Sequence, residues 1–448
     1  MRAVIALIVV SAVLTTGCQR SRQAIDLPQD EFIQVYFNHR DSGDRLYQDP
    51  YRQIERSGDN LEAVIIREID SAKVSIDLAI QEINLPGIAQ ALVRRHRQGI
   101  KVRVILDNNY SRALSSFKTS EIKNFKPRDR QKYHEFKTLV DLDGNGRLSS
   151  SEIAQRDALA ILQQAQIPLL DDTADGTKGS GLMHHKFMVI DNQAVLMGSA
   201  NFTLSGLLGD FDNLDTKGNV NHLLRIENPQ VAGLFKEEFN YMWGKTPGKN
   251  SKFGLGKLWR SPVNLSWQNT QVTLQFAPIS PTKPWQSSSN GLIAQTINNA
   301  RNSLNLALFV FSDRQIAKAI TQKQQQGIEV KGIFDRGFAW RNYSAVWDLL
   351  GIDSSNLCQS QFPQAVTESI GIANLPNGDK LHHKFALIDQ ETVISGSQNW
   401  SAAGNHSNDE VVIVIHNATV AKHFEQEFER LANSAIWDLP PRPSKCSQ

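Results

Sequence analysis

The sequence predicts an α/β fold laid down twice along one chain of 448 residues. Three observations predict it: a motif that occurs twice, an order of strands and helices that recurs around each copy, and a constant numerical offset between the copies. The motif runs from His184 to Asn201 (HHKFMVIDNQAVLMGSAN) and again from His382 to Asn399 (HHKFALIDQETVISGSQN). Both fit His, any residue, Lys, four residues, Asp, six residues, Gly-Ser, any residue, Asn. In each copy the apolar run after the Lys reads as a strand. Alternation along a strand then sets His184 and Lys186 on one face with His185 on the other, and likewise His382 and Lys384 against His383.

Taken in order, the chain opens with Arg2, an apolar run from Ala3 to Leu14, and Thr15-Thr16-Gly17-Cys18. Residues 1–18 read as a secretory signal, too short to span a membrane as a permanent helix. The Gly-Cys junction resembles a bacterial lipoprotein processing site, although Leu14 sits one place earlier than that pattern prefers. The expectation is an exported protein of the cell envelope, lipid-anchored through Cys18, with simple secretion as the alternative. Cys358 and Cys446 are the other two cysteines. In an oxidising envelope they could pair or stay as two thiols, and the sequence leaves this open.

The first domain is expected over residues 30–245. Phe32 to Phe37 reads as a strand, Leu61 to Ser71 as a helix and Val74 to Ile80 as a strand. Pro86 to Gln98 reads as a second helix, leading through Gly99 to a strand at Val102 to Leu106 that ends on Asp107. Strands alternating with helices of this length suggest βαβ units and a largely parallel sheet. The second domain, 263–436, repeats the order: SAKVSIDLA (71–79) aligns without gaps on NARNSLNLA (299–307), and Asp107 on Asp335, at an offset of 228. At the His motifs the offset falls to 198, so the first copy holds 30 additional residues between Asp107 and His184.

That insertion, about 127–164, contains DLDGNGRLSSSE from Asp141 to Glu152. Oxygen ligands fall at Asp141, Asp143 and Asn145, the Arg147 carbonyl takes position seven, Gly146 makes the sharp turn and Glu152 closes the cage, as an EF-hand calcium loop requires. Helical sequence precedes it (Pro127 to Val140) and follows it (Ile153 to Gln164). A solvated Asp/Gly turn is the alternative. A single loop of this kind suits Ca²⁺ at ~10⁻⁴–10⁻³ M, in a structural role. Between the domains, Gly244 to Pro262 is basic and Gly-rich and reads as a solvated linker. The tail, 437–448, is rich in Pro and Ser and reads as disordered.

The net charge of +2 gives no global drive toward nucleic acid, so any basic binding surface must be local. An imidazole beside an ammonium, with a Ser and an Asn returning on a second strand, suits binding and attack on a phosphate. The doubled H-x-K-x4-D-x6-G-S-x-N pattern resembles the phospholipase D superfamily of phosphodiesterases. The resemblance implies two tandem α/β/α sandwich domains about a pseudo-twofold axis, with one composite active site between them. It implies that His184 attacks phosphorus as nucleophile and that His382 protonates the leaving oxygen and then activates water. Lys186, Lys384, Asn201 and Asn399 would hold the phosphate oxygens, with Ser199 and Ser397 completing the motif and no metal in the chemical step. Asp191 and Asp389 are expected to support structure.

A histidine in such a role works best with a carboxylate on its other ring nitrogen. Within the second copy Glu410 precedes the strand Val411 to Ile415 and is expected to orient His382. The aligned position in the first copy is Asn221, which leaves His184 with an amide unless Asp212 or Asp215 substitutes. The expected activity is a phospholipase D acting at a membrane surface on phospholipid, as a monomer, releasing phosphatidic acid and an alcohol. A nuclease is the first alternative, with Trp400, Phe202, Trp340 and Phe338 available to stack on bases. An inactive binding module is the second.

Overall fold

The computed structural model of the chain describes residues 27–41, 46–246, 248–352 and 369–437. The signal segment with Cys18, both other cysteines and residues 438–448 lie outside the described residues. Two mixed sheets dominate. In spatial order the first contains Ile33–Phe37, His222–Glu227, Ala194–Gly198, Lys186–Ile190, Ser75–Ile80, Lys101–Leu106 and Leu169–Asp171. The second contains Val263–Trp267, Thr270–Ala277, Glu410–His416, Thr392–Gly396, Lys384–Ile388, Ser303–Leu308, Glu329–Phe334 and Ile370–Ile372.

The expectation of largely parallel sheets is corrected. Only the last three strands of each sheet run parallel, because only there does a helix provide the crossover that parallel pairing needs: Pro86–Arg97 in the first half and Arg314–Gln325 in the second. The His motif is itself a hairpin. Asp191 and Asn192 (φ 52° and 56°), and Asp389 and Gln390 (φ 51° and 58°), take left-handed backbone at its tip, which turns the strand back antiparallel. Asp191 accepts the backbone N–H groups of Lys73, Val74 and Ser75 at 2.7–2.8 Å. Asp389 accepts those of Arg301, Asn302 and Ser303. The motif aspartates thus tie each hairpin to the neighbouring strand, as the sequence suggested.

Each sheet is covered on both faces. The outer face of the first packs against Leu61–Ser71, Pro86–Arg97 and Ala158–Gln164, and that of the second against Ser289–Asn298, Arg314–Gln325 and Val346–Leu349. The inner faces carry one long helix each, Pro229–Trp243 and Ala418–Ser434. These inner layers merge into a single apolar core in which Phe37, Phe187 and Phe235 of the first half share one cluster with Phe385, Phe424 and Phe428 of the second. The halves are therefore halves of one body.

Two backbone bridges cross between them. Met183 pairs with Asp409, and Val220 with Leu381. The His184 N–H donates to the Asp409 carbonyl at 3.0 Å and the His382 N–H to the Val220 carbonyl at 3.1 Å. Asp107 and Asp335, at equivalent strand ends, pin the approach by accepting the N–H groups of Met183 and Leu381, each at 3.0 Å.

Two further expectations change. The helix after the acidic loop is two, Ser150–Arg156 and Ala158–Gln164, broken at Asp157, whose carboxylate caps the second. The basic segment between the domains is not a solvated linker. Lys257 is buried and bridges Glu238 of the first half and Asp409 of the second (2.6 Å), and Arg260 also reaches Glu238.

Candidate active site

Because the backbone bridges join the start of each His motif to the other half, each catalytic-type histidine lands beside the other half's orienting residue. His184 Nδ1 lies 2.8 Å from Glu410 Oε2, and His382 Nδ1 lies 2.9 Å from Asn221 Oδ1. This reverses the pairing expected from the sequence: Glu410 orients His184 and the amide of Asn221 orients His382. The two orienting residues had been aligned correctly, but the partnership crosses between copies instead of staying within one.

The proton positions follow from the partners. A carboxylate only accepts, so His184 carries its proton on Nδ1. Asn221 donates its Nδ2 protons to the carbonyls of Gly206 (2.8 Å) and Asn219 (3.1 Å), which fixes its oxygen toward His382, so His382 also carries a proton on Nδ1. Both neutral imidazoles are left with a bare Nε2. Both residues line one cavity of about 790 Å³, together with Gln81, Asn201, Asn221, Phe309, Lys380 and Asn399. Asn201 Oδ1 and Asn399 Oδ1 have no hydrogen-bond partner among the described residues.

Two lysines stand behind the imidazoles, each about 1% exposed. Lys186 Nζ donates to Gln81 Oε1 (3.2 Å) and to the His184 carbonyl (2.9 Å). Lys384 Nζ donates to the His382 carbonyl (2.6 Å) and sits 5.0 Å from the centre of the Phe309 ring. Among the described residues neither forms an ion pair with a carboxylate. Burial brings Lys186 down to about 7. Burial and the nearby Lys186 ammonium hold Lys384 well below the usual lysine range. Burial takes His184 down to about 4, against the upward pull of Glu410. His382 lies well below the histidine range, through burial and then the two lysines and His184. Burial disfavours the charged form of all four groups, and an anion held between them would favour it.

Ser199 and Ser397 do not reach the cavity. Ser199 Oγ donates to Asn221 Oδ1 and Ser397 Oγ to Glu410 Oε2, each at 2.8 Å, so each serine holds the residue that holds the other half's histidine. His185 and His383 face inward as strand alternation requires, meeting Glu238 (3.0 Å) and Glu427 (2.9 Å) on the two inner helices. Asp212 lines the cavity but meets Gln131 and His134 instead of His184. Of the aromatic candidates, Trp400 and Phe202 are buried in the core. Trp340 packs on Trp347, and Phe338 packs on Phe309. Gln81 and Phe309 were missed, although the offset of 228 continues onto them two residues beyond Ala79 and Ala307.

The acidic-loop insertion also comes to the site. Its helix Pro127–Val140 lies along the cavity and contributes Arg128, Gln131, Lys132 and Glu135 to the wall. At the far end of that helix, carboxylate oxygens of Asp141, Asp143 and Glu152 lie within 4.8 Å of one another, and Asp141 Oδ1 has no hydrogen-bond partner among the described residues.

A family model described as "Cardiolipin synthase, PLD-like domain" matches residues 65–243 and again 293–432, one match for each half of this site. The chain belongs to that family. Among similar PLD-like proteins, mitochondrial cardiolipin hydrolase of Mus musculus is 29% identical over 150 residues, 33% of this chain and 60% of that protein. Phospholipase D of Rickettsia bellii is 31% identical over 136 residues, 30% of this chain and 60% of that one. The chain thus spans about 60% of the length of these relatives. The solved phosphatidylserine synthase of Haemophilus influenzae superposes over 92% of this chain and 88% of its own with a TM-score of 0.57 at 14% identity, which shows a shared PLD fold.

Proposed function

We propose that this PLD-family phosphodiesterase is a phospholipase D that hydrolyses phospholipids to phosphatidic acid and a free alcohol through a phosphohistidine. The observation that supports this reading most is that two imidazoles from different halves present Nε2 to one cavity backed by two buried, carboxylate-free lysines. His184 Nε2 attacks phosphorus while the bond to the leaving alcohol oxygen breaks. Its ring becomes a cation as the N–P bond forms, and the Glu410 carboxylate on Nδ1 stabilises that charge where it develops. His382 does the opposite work. The arriving phosphate anion raises its proton affinity, and a proton on its Nε2, backed only by an amide and crowded by lysines, passes readily to the leaving oxygen. Water then attacks phosphorus, His382 Nε2 takes its proton, the N–P bond breaks and phosphatidic acid leaves. The exchanged partners therefore suit the assignment of His184 as nucleophile and His382 as acid better than the expected ones did.

In this reading the protein is exported, anchored to the envelope through Cys18, and acts as a monomer at a membrane surface. The names of the relatives, cardiolipin hydrolase and phospholipase D, agree with a lipid substrate. A nuclease would need ring faces free beside the cavity; Trp400 and Phe202 are buried, and of the rings at the wall Tyr110 is covered by Lys132 while Phe309 packs against Phe338 and Lys384. The loop Asp141 to Glu152 is proposed to hold Ca²⁺ through Asp141, Asp143, Asn145, the Arg147 carbonyl and Glu152, with Gly146 (φ 76°) making the turn. The ion would brace the insertion and take no part in the chemistry. Side-by-side assays on mixed phospholipid vesicles and on single-stranded DNA test the reading. Release of phosphatidic acid is the expected result, and cleavage of DNA with no lipid product overturns it.

A further inference from the structure

Beside the phosphate cavity lies a second hollow of about 370 Å³, walled mainly by the stretch between Asp107 and His184, which is 30 residues longer in the first half and includes the insertion. Its apolar wall is Ile83, Leu114, Phe117, Phe125, Phe136 and Leu159. Phe117, Phe125, Tyr133 and Phe136 pack edge to face or tilted at 5.2–6.0 Å, so the rings are fixed by one another. Glu82, Tyr110 and Lys132 belong to the walls of both hollows, and the helix Pro127–Val140 lines both.

The two cations that line this chamber, Lys132 and Arg112, are already matched. Lys132 pairs with Glu82 at 2.8 Å and lies 4.3 Å over the Tyr110 ring. Arg112 forks onto Glu121 at 2.7 Å and covers the face of Phe117 at 3.9 Å. A nucleic-acid strand needs unmatched cations and open ring faces, and this chamber offers neither. It offers apolar surface next to a phosphate site, in a volume at the small end of ligand cavities, ~300–1,000 Å³. That is room for part of one hydrocarbon chain and not for two.

We infer that this chamber is an acyl-chain subsite, which receives one chain of the phospholipid while its phosphate lies between His184 and His382. The inference rests on the phospholipase reading and adds to it that chain length is read by the longer stretch between Asp107 and His184 of the first half. Phosphatidylcholines and phosphatidylethanolamines with butanoyl to octanoyl chains, used as monomers below their critical micelle concentrations, test it. The kcat/KM for alcohol release should rise with each methylene, by ~4-fold where burial is complete, and then level off when the chamber is full. Leu114→Trp, which fills the chamber, should bring the plateau to shorter chains, and Phe117→Ala, which enlarges it, should move the plateau to longer ones. Alcohol release that is indifferent to chain length in the unaltered protein, or an unshifted plateau in both folded variants, overturns the chamber and leaves the phospholipase reading standing. Failure to cleave any phosphatidyl substrate, with single-stranded DNA cleaved, removes both.

Discussion

The two histidine–lysine pairs share one backbone and differ in what stands behind them. His184 rests on a carboxylate, and its lysine is hydrogen-bonded to the amide of Gln81. His382 rests on an amide, and its lysine lies beside the Phe309 ring. A duplicated scaffold thus gives equal geometry and unequal electrostatics. The comparison teaches that geometry brings both imidazoles to the cavity, while the residue behind each decides which can bear a lasting positive charge.

The strongest way to break the comparison is to remove either imidazole. His184→Ala and His382→Ala should each lower turnover on phospholipid by at least ~10³-fold with little change in melting temperature. More than a few per cent of activity surviving in His382→Ala would mean that the site is not shared. His185→Ala and His383→Ala should do the reverse. Each removes a packed ring and one hydrogen bond from a buried glutamate that keeps its cationic partners, Lys257 and Arg260 for Glu238 and Arg430 for Glu427, so thermal unfolding should show a loss of about 1–3 kcal/mol.

Next in size are the orienting residues. Glu410→Gln keeps the shape and loses the charge that stabilises the phosphohistidine cation, so kcat should fall by ~10²–10³. Asn221→Asp adds a charge behind the proton donor and should cost about tenfold or less, while raising the pH up to which His382 holds its proton. Equal losses in the two variants, read from pH–rate profiles, would erase the functional difference between the halves.

A smaller effect separates the lysines by pH. Lys186 is depressed to about 7, so it is charged below that pH and neutral above it. The free site therefore loses positive charge as pH rises through 7, and kcat/KM, which reports the free enzyme, should decline there. Lys186→Arg stays charged and should push that decline to higher pH. A limb in the same place in both proteins would assign it to another group.

The smallest effect belongs to the insertion, which the second half lacks. Millimolar Ca²⁺ should raise the melting temperature by a few degrees, since ~1.4 kcal/mol follows from tenfold excess over the dissociation constant. Glu152→Gln should abolish the increment. An unchanged melting temperature at several millimolar Ca²⁺ would leave the loop as a turn.

Much of this was legible from the chain because repetition is a one-dimensional signal. The helix Leu61–Ser71 appeared at its observed bounds, and the constant offset found the strands of the second half. Sheet direction was not legible, because nothing in the apolar runs states that the motif folds back as a hairpin. The return of the motif's Ser and Asn on a second strand implied the turn, which Asp191-Asn192 make in left-handed backbone, but the alternation of strands and helices around it pointed to parallel pairing. The exchange of Glu410 and Asn221 was beyond reach for a different reason. It depends on Met183 meeting Asp409 and Val220 meeting Leu381, contacts set by docking and not by neighbours in sequence. The insertion helix at the cavity wall is a tertiary fact of the same kind.

That docking has a consequence for symmetry itself. In a two-fold dimer of identical chains every substitution is made twice, so both imidazoles must change partners together. A dimer of the first half alone would set His184 against Asn221 on both sides, and one of the second half alone would set His382 against Glu410 on both sides. Neither symmetric assembly can contain one carboxylate and one amide. Two copies held as separate stretches of one chain let one orienting position diverge while the other is kept, so duplication within the chain permits a division of labour that a symmetric dimer cannot have.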